Sequence, residues 1–243
     1  MASKDPNTAA ETLAEIEATG DRVAEWASEN AALILGTIAA VLVLAAGIGL
    51  YVQHGTEARD DAANALALAT SQYRQAMGAN PGGGPIPEPA NLEVAENTRA
   101  EYVARFTELG EAHAGTSAGA LAWLEAGNLQ FELGRLEDAA TSFGAARDAA
   151  GRTAISALAS VRLAALAEDQ GKPEDAAGAF ESAANIGAYP LRANALADAA
   201  RCWVEAGDDD RALAAFQRLE NEFPDHLVPP YVESLIGEIR ARS

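Results

Sequence analysis

The chain has 243 residues, of which 36 are Asp or Glu and 17 are Lys or Arg, so its formal net charge is −19. This balance excludes nucleic acid as a partner, because phosphate binding needs clustered Lys and Arg, and the basic residues here are scattered among acidic ones. Apolar residues, many of them alanine, make up 49% of the chain and aromatic residues only 6%, a composition that favours an all-α protein of closely packed helices.

Residues 1–30 are an acidic tail that contains an amphipathic helical pattern. Leu13, Ile16, Val23 and Trp26 recur at helical intervals, and Trp26 is close enough to the next segment to lie at a membrane interface. Because this helix is acidic rather than basic, three roles stay open: contact with the membrane surface, contact with a partner, and a solvated helix.

An uninterrupted apolar segment then covers residues 31–52, with no charged or amide side chain. As a helix it would measure about 33 Å, enough to cross a hydrocarbon core about 30 Å thick. A core helix would keep a polar stripe, and a cleaved signal peptide would have a basic start and a shorter apolar run. The sequence therefore predicts an uncleaved transmembrane helix embedded in the lipid bilayer. Arg22 and Arg59 flank it on either side, so charge does not decide its orientation.

Residues 53–115 are predicted to form a degenerate helical hairpin next to the span. One helix is expected from Glu57 to Met77 and the other roughly from Glu96 to Ala112. Between them, segment 79–91 has four Pro and three consecutive Gly, which neither a helix nor a strand tolerates. This loop is expected to be exposed, and a spacer without a binding role is the favoured interpretation.

Residues 116–243 contain three related units. The sequences GRLEDAATSFGAA, GKPEDAAGAFESA and GDDDRALAAFQRL begin at Gly134, Gly171 and Gly207. Each Gly is expected to end one helix with a positive φ, and the acidic residues after it to start the next helix near its positive dipole end. An Ala and then a Phe follow each Gly in the same register: Ala139 and Phe143, Ala176 and Phe180, Ala212 and Phe216. The small Ala lets paired helices approach, and the Phe is expected to fill the gap between successive pairs.

These units resemble the tetratricopeptide repeat, whose pattern also has a Trp and a Gly in the first helix, here Trp123 and Gly127, and a final Pro, here Pro224. The spacing slightly exceeds the usual length of about 34 residues, and Ser160 and Ala164 replace Trp and Gly in the second unit. The resemblance implies a solenoid of stacked helical hairpins, capped by a C-terminal helix. That helix is expected to bury one face, formed by Tyr231, Leu235, Ile236 and Ile239.

In this family the first helix of each hairpin lines a partner-binding groove. The groove positions implied for this chain are Leu124, Asn128, Phe131 and Glu132 in the first unit, Val161, Glu168 and Asp169 in the second, and Asn194, Arg201 and Glu205 in the third. Because Arg201 is the one basic residue among them, the resemblance implies a mildly acidic groove that prefers extended or helical segments with apolar and basic side chains. For any single position the alternative is a solvated helix face.

No residue pattern indicates catalysis, a metal, a cofactor or a small-molecule substrate. His54, His113 and His226 have no Cys or paired carboxylate at ligand spacing. Cys202, the only cysteine in the sequence, lies beside Trp203 and is expected to be a small buried residue rather than a nucleophile. The sequence therefore predicts a protein that is not an enzyme.

The layout of acidic tail, single span and degenerate repeats resembles the YfgM-like family of bacterial inner-membrane proteins, which are ancillary subunits of the Sec translocon. The resemblance implies a single-pass protein of the bacterial inner membrane, with its N-terminus in the cytoplasm and its C-terminal domain in the periplasm. It also implies an adaptor that associates with the translocon and with periplasmic chaperones during protein secretion. Two alternatives stay open: a scaffold that coordinates cell-envelope or division machinery, and an architectural subunit of another membrane complex.

Overall fold

The structure, a computed structural model, describes residues 56–80, 84–87 and 89–242. Across these ranges it contains nine helices and no strand, which confirms the predicted all-α repeat fold. The helices are α1, whose described part covers residues 56–76, α2 (Leu92–Ala112), α3 (Ser117–Glu132), α4 (Leu136–Ala149), α5 (Ala154–Asp169), α6 (Pro173–Ala184), α7 (Arg192–Ala206), α8 (Asp209–Glu222) and α9 (Pro230–Arg242).

The predicted tail 1–30 and the predicted span 31–52 lie outside the described residues. Of the helices that the structure does describe, none combines the length and apolar character that a bilayer crossing requires. Ala58–Ser243 form one compact unit. The predicted division of this unit near residue 115 stays a prediction.

Short polar residues and glycines set where the helices begin and end. The side chains of Asn91, Thr116 and Asp208 each accept a hydrogen bond from a backbone N–H in the first turn of α2, α3 and α8, respectively, as N-cap residues do. The three repeat glycines that precede α4, α6 and α8 have φ values of +71° for Gly134, +66° for Gly171 and +76° for Gly207. The predicted positive-φ turns are therefore confirmed, and each one reverses the chain between the two helices of a pair.

The second helix of each pair carries the repeated core residues. Ala139, Ala176 and Ala212 are completely buried, and the repeat phenylalanines Phe143, Phe180 and Phe216 are at most 5% exposed. Each helix packs against its neighbours in the chain, so these residues lie between stacked helices as predicted.

Trp123 and Gly127 of α3 each contact a residue of a neighbouring helix. A Cβ atom added to Gly127 would lie 2.5 Å from Cδ1 of Phe143, and one added to Gly110 would lie 2.6 Å from Nε1 of Trp123. Each glycine therefore receives an aromatic ring from the neighbouring helix.

Helices α1 and α2 contact each other through aromatic side chains, and the predicted degenerate hairpin over residues 53–115 stays a prediction. Phe106 is 1% exposed, and Tyr73 of α1 lies 5.3 Å from Tyr102 of α2 between ring centroids. This aromatic cluster continues onto Ala122 and Ala126 of α3. In the connecting loop, Arg74 donates a hydrogen bond to the carbonyl of Gly84.

The C-terminal helix α9 covers the end of the stack, and its buried face agrees with the predicted one at Ile236 and Ile239. Val232, Ile236 and Ile239 are at most 1% exposed, whereas Tyr231 is 52% exposed and Leu235 is partly buried. The prediction is therefore wrong at Tyr231, and Val232, which points about 100° away from it on the helix, is buried instead.

A candidate interaction face on the first helices

The first helices of successive pairs are α1, α3, α5 and α7. We call the surface they share the first-helix face. Glu125 of α3 interacts electrostatically with Arg162 of α5, and Glu168 of α5 forms a salt bridge with Arg201 of α7. These contacts connect the exposed sides of α3, α5 and α7.

Arg201 is the centre of an acidic cluster between α5 and α7. Its guanidinium lies 2.5 Å from Glu168, 3.0 Å from Glu205 and 3.8 Å from Asp198, measured between nitrogen and carboxylate oxygen. Three of these residues, Glu168, Arg201 and Glu205, were predicted groove positions, and the structure brings them together. One positive charge faces three carboxylates, so the cluster keeps a net negative charge.

Partial burial affects the ionisation of this cluster. Burial raises the pKa of Asp198 above its usual range; the charge of Arg201 opposes this effect and the charge of Glu168 adds to it. Burial also raises the pKa of the nearby Tyr189, and the charge of Asp198 contributes. The charge of Arg201 therefore offsets only part of the effect of burial on Asp198. A further cation beside this carboxyl group would favour its charged form.

Cys202 lies beneath the cluster, and its contacts suit a structural residue. It is completely buried, and its Sγ is 3.6 Å from Oε1 of Glu168. Burial raises the pKa of its thiol to about 12. Ligand atoms of Glu168, Cys202 and Glu205 lie within 4.8 Å of one another, but the guanidinium of Arg201 already binds both carboxylates, so a metal ion would have to displace it.

A second acidic site lies on α3. Burial raises the pKa of Glu125, which interacts with Asn128 through a hydrogen bond and with Arg162 through its charge. Two turns after Glu125, Glu132 forms a salt bridge of 2.7 Å with Arg99 of α2. Asn128 and Glu132 were predicted groove positions, but sequence reasoning missed Glu125, although its helical spacing from both residues was a usable signal.

The remaining predicted positions separate into buried and accessible residues. Leu124 is 3% exposed and packs with Ala139 and Phe143, so it is a core residue, not a groove residue. Val161 is partly buried against the core. Phe131 is 40% exposed, and Asp169 and Asn194 are also exposed, so these three side chains are accessible to a partner.

A cavity of about 670 Å³ opens between α1 and α3. Its walls are mainly small and apolar and include Ala63, Leu66 and Ala67 of α1 and Ser117, Ala118 and Leu121 of α3. No predicted groove position lies in its walls. The repeat pattern is first well matched in the unit that begins with α3, so the family resemblance implies no groove position on α1.

His113 and His226 join no candidate metal-binding group within the described residues, and His54 lies outside them. The expectation that the protein is not an enzyme and holds no metal stays a prediction. Compared with known protein families, the chain matches the tetratricopeptide repeat-like domain over residues 24–227. A search of curated proteins finds no match.

Proposed function

The chain belongs to the tetratricopeptide repeat-like domain family, and we propose that it is an adaptor that binds segments of other proteins on its first-helix face. Domains of this family suggest protein–protein interaction and are typically non-enzymatic scaffolds. The observation that carries the proposal is the acidic cluster, in which Arg201 faces Glu168, Asp198 and Glu205.

A partner's Lys or Arg would complete the charge balance of this cluster. Charge-assisted hydrogen bonds are stronger than neutral ones, and complementary charge also speeds association. Glu125 on α3 adds a further partly buried carboxyl group to this face, where it interacts with the charge of Arg162. The face is therefore suited to cationic partner segments.

We further propose that the adaptor acts at a bacterial inner membrane. Residues 31–52 would anchor it, the N-terminus would lie in the cytoplasm, and the repeats would lie in the periplasm and associate with the Sec translocon and periplasmic chaperones. The uncharged apolar segment supports the anchor. The layout of tail, span and repeats, which resembles that of the YfgM-like family, supports this topology, and the choice of partner rests on the same resemblance.

Site-specific photo-crosslinking in native membranes tests the proposal. A crosslinking amino acid is placed at Asn194, which is exposed on α7, and in a control at Asn221, which is exposed on α8. We expect partner crosslinks from Asn194 and few from Asn221. Translocon subunits or chaperones among the products would support the specific partners, whereas division proteins would support an adaptor with another role. Equal products from both positions would contradict binding on the first-helix face.

Charge reversal provides a matched mutational test. Glu205 forms a salt bridge of 3.0 Å with Arg201 on the first-helix face, and Glu220 forms one of 2.9 Å with Arg240 between α8 and α9. Since loss of one charged contact to a partner costs roughly 1–3 kcal/mol, Glu205→Lys should reduce partner capture about 10-fold. Glu220→Lys should leave it nearly unchanged. A similar loss in both variants would indicate a general charge effect.

A further inference from the structure

The cavity between α1 and α3 opens on the same side of α3 as the acidic residues. Leu121 in its wall is followed at helical intervals by Glu125, Asn128 and Glu132. One stripe of α3 therefore changes from apolar to acidic along its length. A single segment lying along this stripe would meet both kinds of surface.

The cavity is large enough for more than one side chain. Its volume of about 670 Å³ equals that of roughly 20 water molecules at about 30 Å³ each, and it falls in the usual range for binding clefts. The exposed surface of its walls is mostly apolar, as at Ala63, Leu66, Ala67 and Leu121, although Thr70, Ser71, Arg74, Gln75, Asn80 and Ser117 also line it. An apolar group can displace water from the apolar part of the cavity.

We infer that the cavity between α1 and α3 is an anchor site for the apolar face of a cationic amphipathic helix, whose basic side chains lie on the carboxylates of the first-helix face. This inference rests on the proposed adaptor function and names the chemistry of its partner. A groove between helices that accepts the apolar stripe of another helix is a recurrent mode of peptide recognition.

Charge complementarity selects this occupant. The chain has a net charge of −19, so a second copy of it would bring like charge to an acidic face and would be repelled. A segment with basic residues is attracted to Glu125 and to the cluster around Arg201, where carboxylates outnumber the guanidinium. Its apolar residues then fill the cavity that the acidic part of α3 adjoins.

The test measures binding of a designed peptide to the full chain in nanodiscs of zwitterionic lipid. The labelled peptide has about 15 residues, near the length at which an isolated helix becomes stable, and carries a phenylalanine on its apolar face and lysines on the other. Fluorescence anisotropy gives the Kd, and empty nanodiscs correct for binding to lipid. Replacing the lysines by glutamates should abolish binding.

Two cavity-filling variants and one control locate the anchor. Ala67 and Ser71 are exposed and line the cavity, whereas Leu68 is exposed but is not part of its walls. We expect Ala67→Trp and Ser71→Trp to weaken binding at least about 10-fold and Leu68→Trp to change it less than about twofold. Unchanged circular dichroism would show that the variants fold.

A double-mutant cycle makes the result specific to the cavity. Replacing the peptide's phenylalanine by alanine should weaken binding to the wild type but have little further effect on Ala67→Trp. Equal losses on both proteins, or wild-type affinity in both filling variants, would overturn the anchor site. If crosslinks from Asn194 persisted in that case, the adaptor function would stand and only the anchor site would be wrong.

Discussion

At the scale of single residues, two helical glycines, Gly110 and Gly127, allow neighbouring helices to pack closely. Each accepts an aromatic ring from a neighbouring helix at a distance that a Cβ atom would not permit. Gly144 is also within a helix, but nothing lies within 4 Å of the position its Cβ would take. Although Gly127 and Gly144 are both helical, their substitution by alanine is therefore expected to change the stability of the protein in opposite directions.

Gly127→Ala should destabilise the protein, whereas Gly144→Ala should stabilise it. Ala is favoured over Gly in a helix by up to about 1 kcal/mol, and Gly144→Ala should show this gain. At Gly127 the new methyl group meets the ring of Phe143, and overpacking of this kind costs about 1–3 kcal/mol. The net loss should be up to about 2 kcal/mol in the free energy of urea unfolding. Equal stabilisation by both substitutions would contradict the close contact.

Asp198 and Glu222 should give stability profiles of opposite sign against pH. Burial raises the pKa of Asp198 above its usual 3.8, so the stability linked to its protonation is present below about pH 4 and is lost as pH rises through the raised pKa. The hydrogen bond from Arg218 lowers the pKa of Glu222 below its usual 4.5. Its stabilisation is present above that value and is lost as pH falls through the lowered pKa.

Thermal unfolding between about pH 3 and about pH 7 tests both signs. Asp198→Asn should flatten the decline in stability toward neutral pH. Glu222→Gln should lower the Tm near neutral pH, and its difference from the wild type should disappear in acid. Parallel shifts of the two variants at every pH would show that neither carboxyl group has the assigned environment.

The two helices of a pair have different tasks at the scale of elements. The second helices, α4, α6 and α8, supply the repeat Ala and Phe residues of the core, whereas the first helices carry the acidic cluster and both walls of the cavity. The core can therefore be disturbed without altering the candidate face. The converse holds for substitutions of exposed residues on the first helices.

Phe143→Ala and Phe131→Ala separate these tasks. Phe143 is 2% exposed and Phe131 is 40% exposed. Removing the buried ring should cost about 3–5 kcal/mol of unfolding free energy, whereas the exposed substitution should remain within about 0.5 kcal/mol. Urea unfolding of the full chain measures both. A large loss from Phe131→Ala would place that ring in the core and remove it from the face.

How far the sequence predicts the fold depends on the helix. Three copies of the Gly-Ala-Phe pattern in the same register identify the second helices, because both a turn and a buried stripe repeat. The first helices have weaker patterns. The groove positions implied by the family resemblance included the buried Leu124 and missed Glu125 and Asp198. A sequence pattern predicts that a residue is helical. Which side of the helix is exposed depends on how the helix is rotated against its neighbours, and the exposed Tyr231 shows that the pattern does not determine this rotation.

At the scale of the whole molecule, the excess of acidic residues extends to the first-helix face, where carboxylates outnumber the basic groups around Arg201. Contacts of this kind weaken as salt rises, because the Debye length shortens from about 10 Å at 0.1 M to about 3 Å at 1 M. The role of such a face depends on the compartment in which it lies. If residues 31–52 cross a membrane, the orientation of the chain therefore constrains its partners.

Cysteine labelling can determine this orientation in the intact chain. The thiol of Cys202 is buried and its pKa is raised to about 12, and since the thiolate is the reactive species, the wild type should give little background. Ser3→Cys introduces a thiol before the predicted span, and Ser234→Cys introduces one at an exposed position of α9. If residues 31–52 cross the membrane with the N-terminus inside, an impermeant maleimide should label only Ser234→Cys on intact spheroplasts.

Permeabilised spheroplasts provide the control, because both introduced thiols should then react. Labelling of Ser3→Cys alone before permeabilisation would reverse the orientation and place the first-helix face in the cytoplasm, away from periplasmic chaperones. Labelling of neither variant would place both ends inside, and the apolar segment would then not be a single span. The labelling pattern thus tests the membrane anchor and the proposed compartment in one experiment, without depending on the identity of a partner.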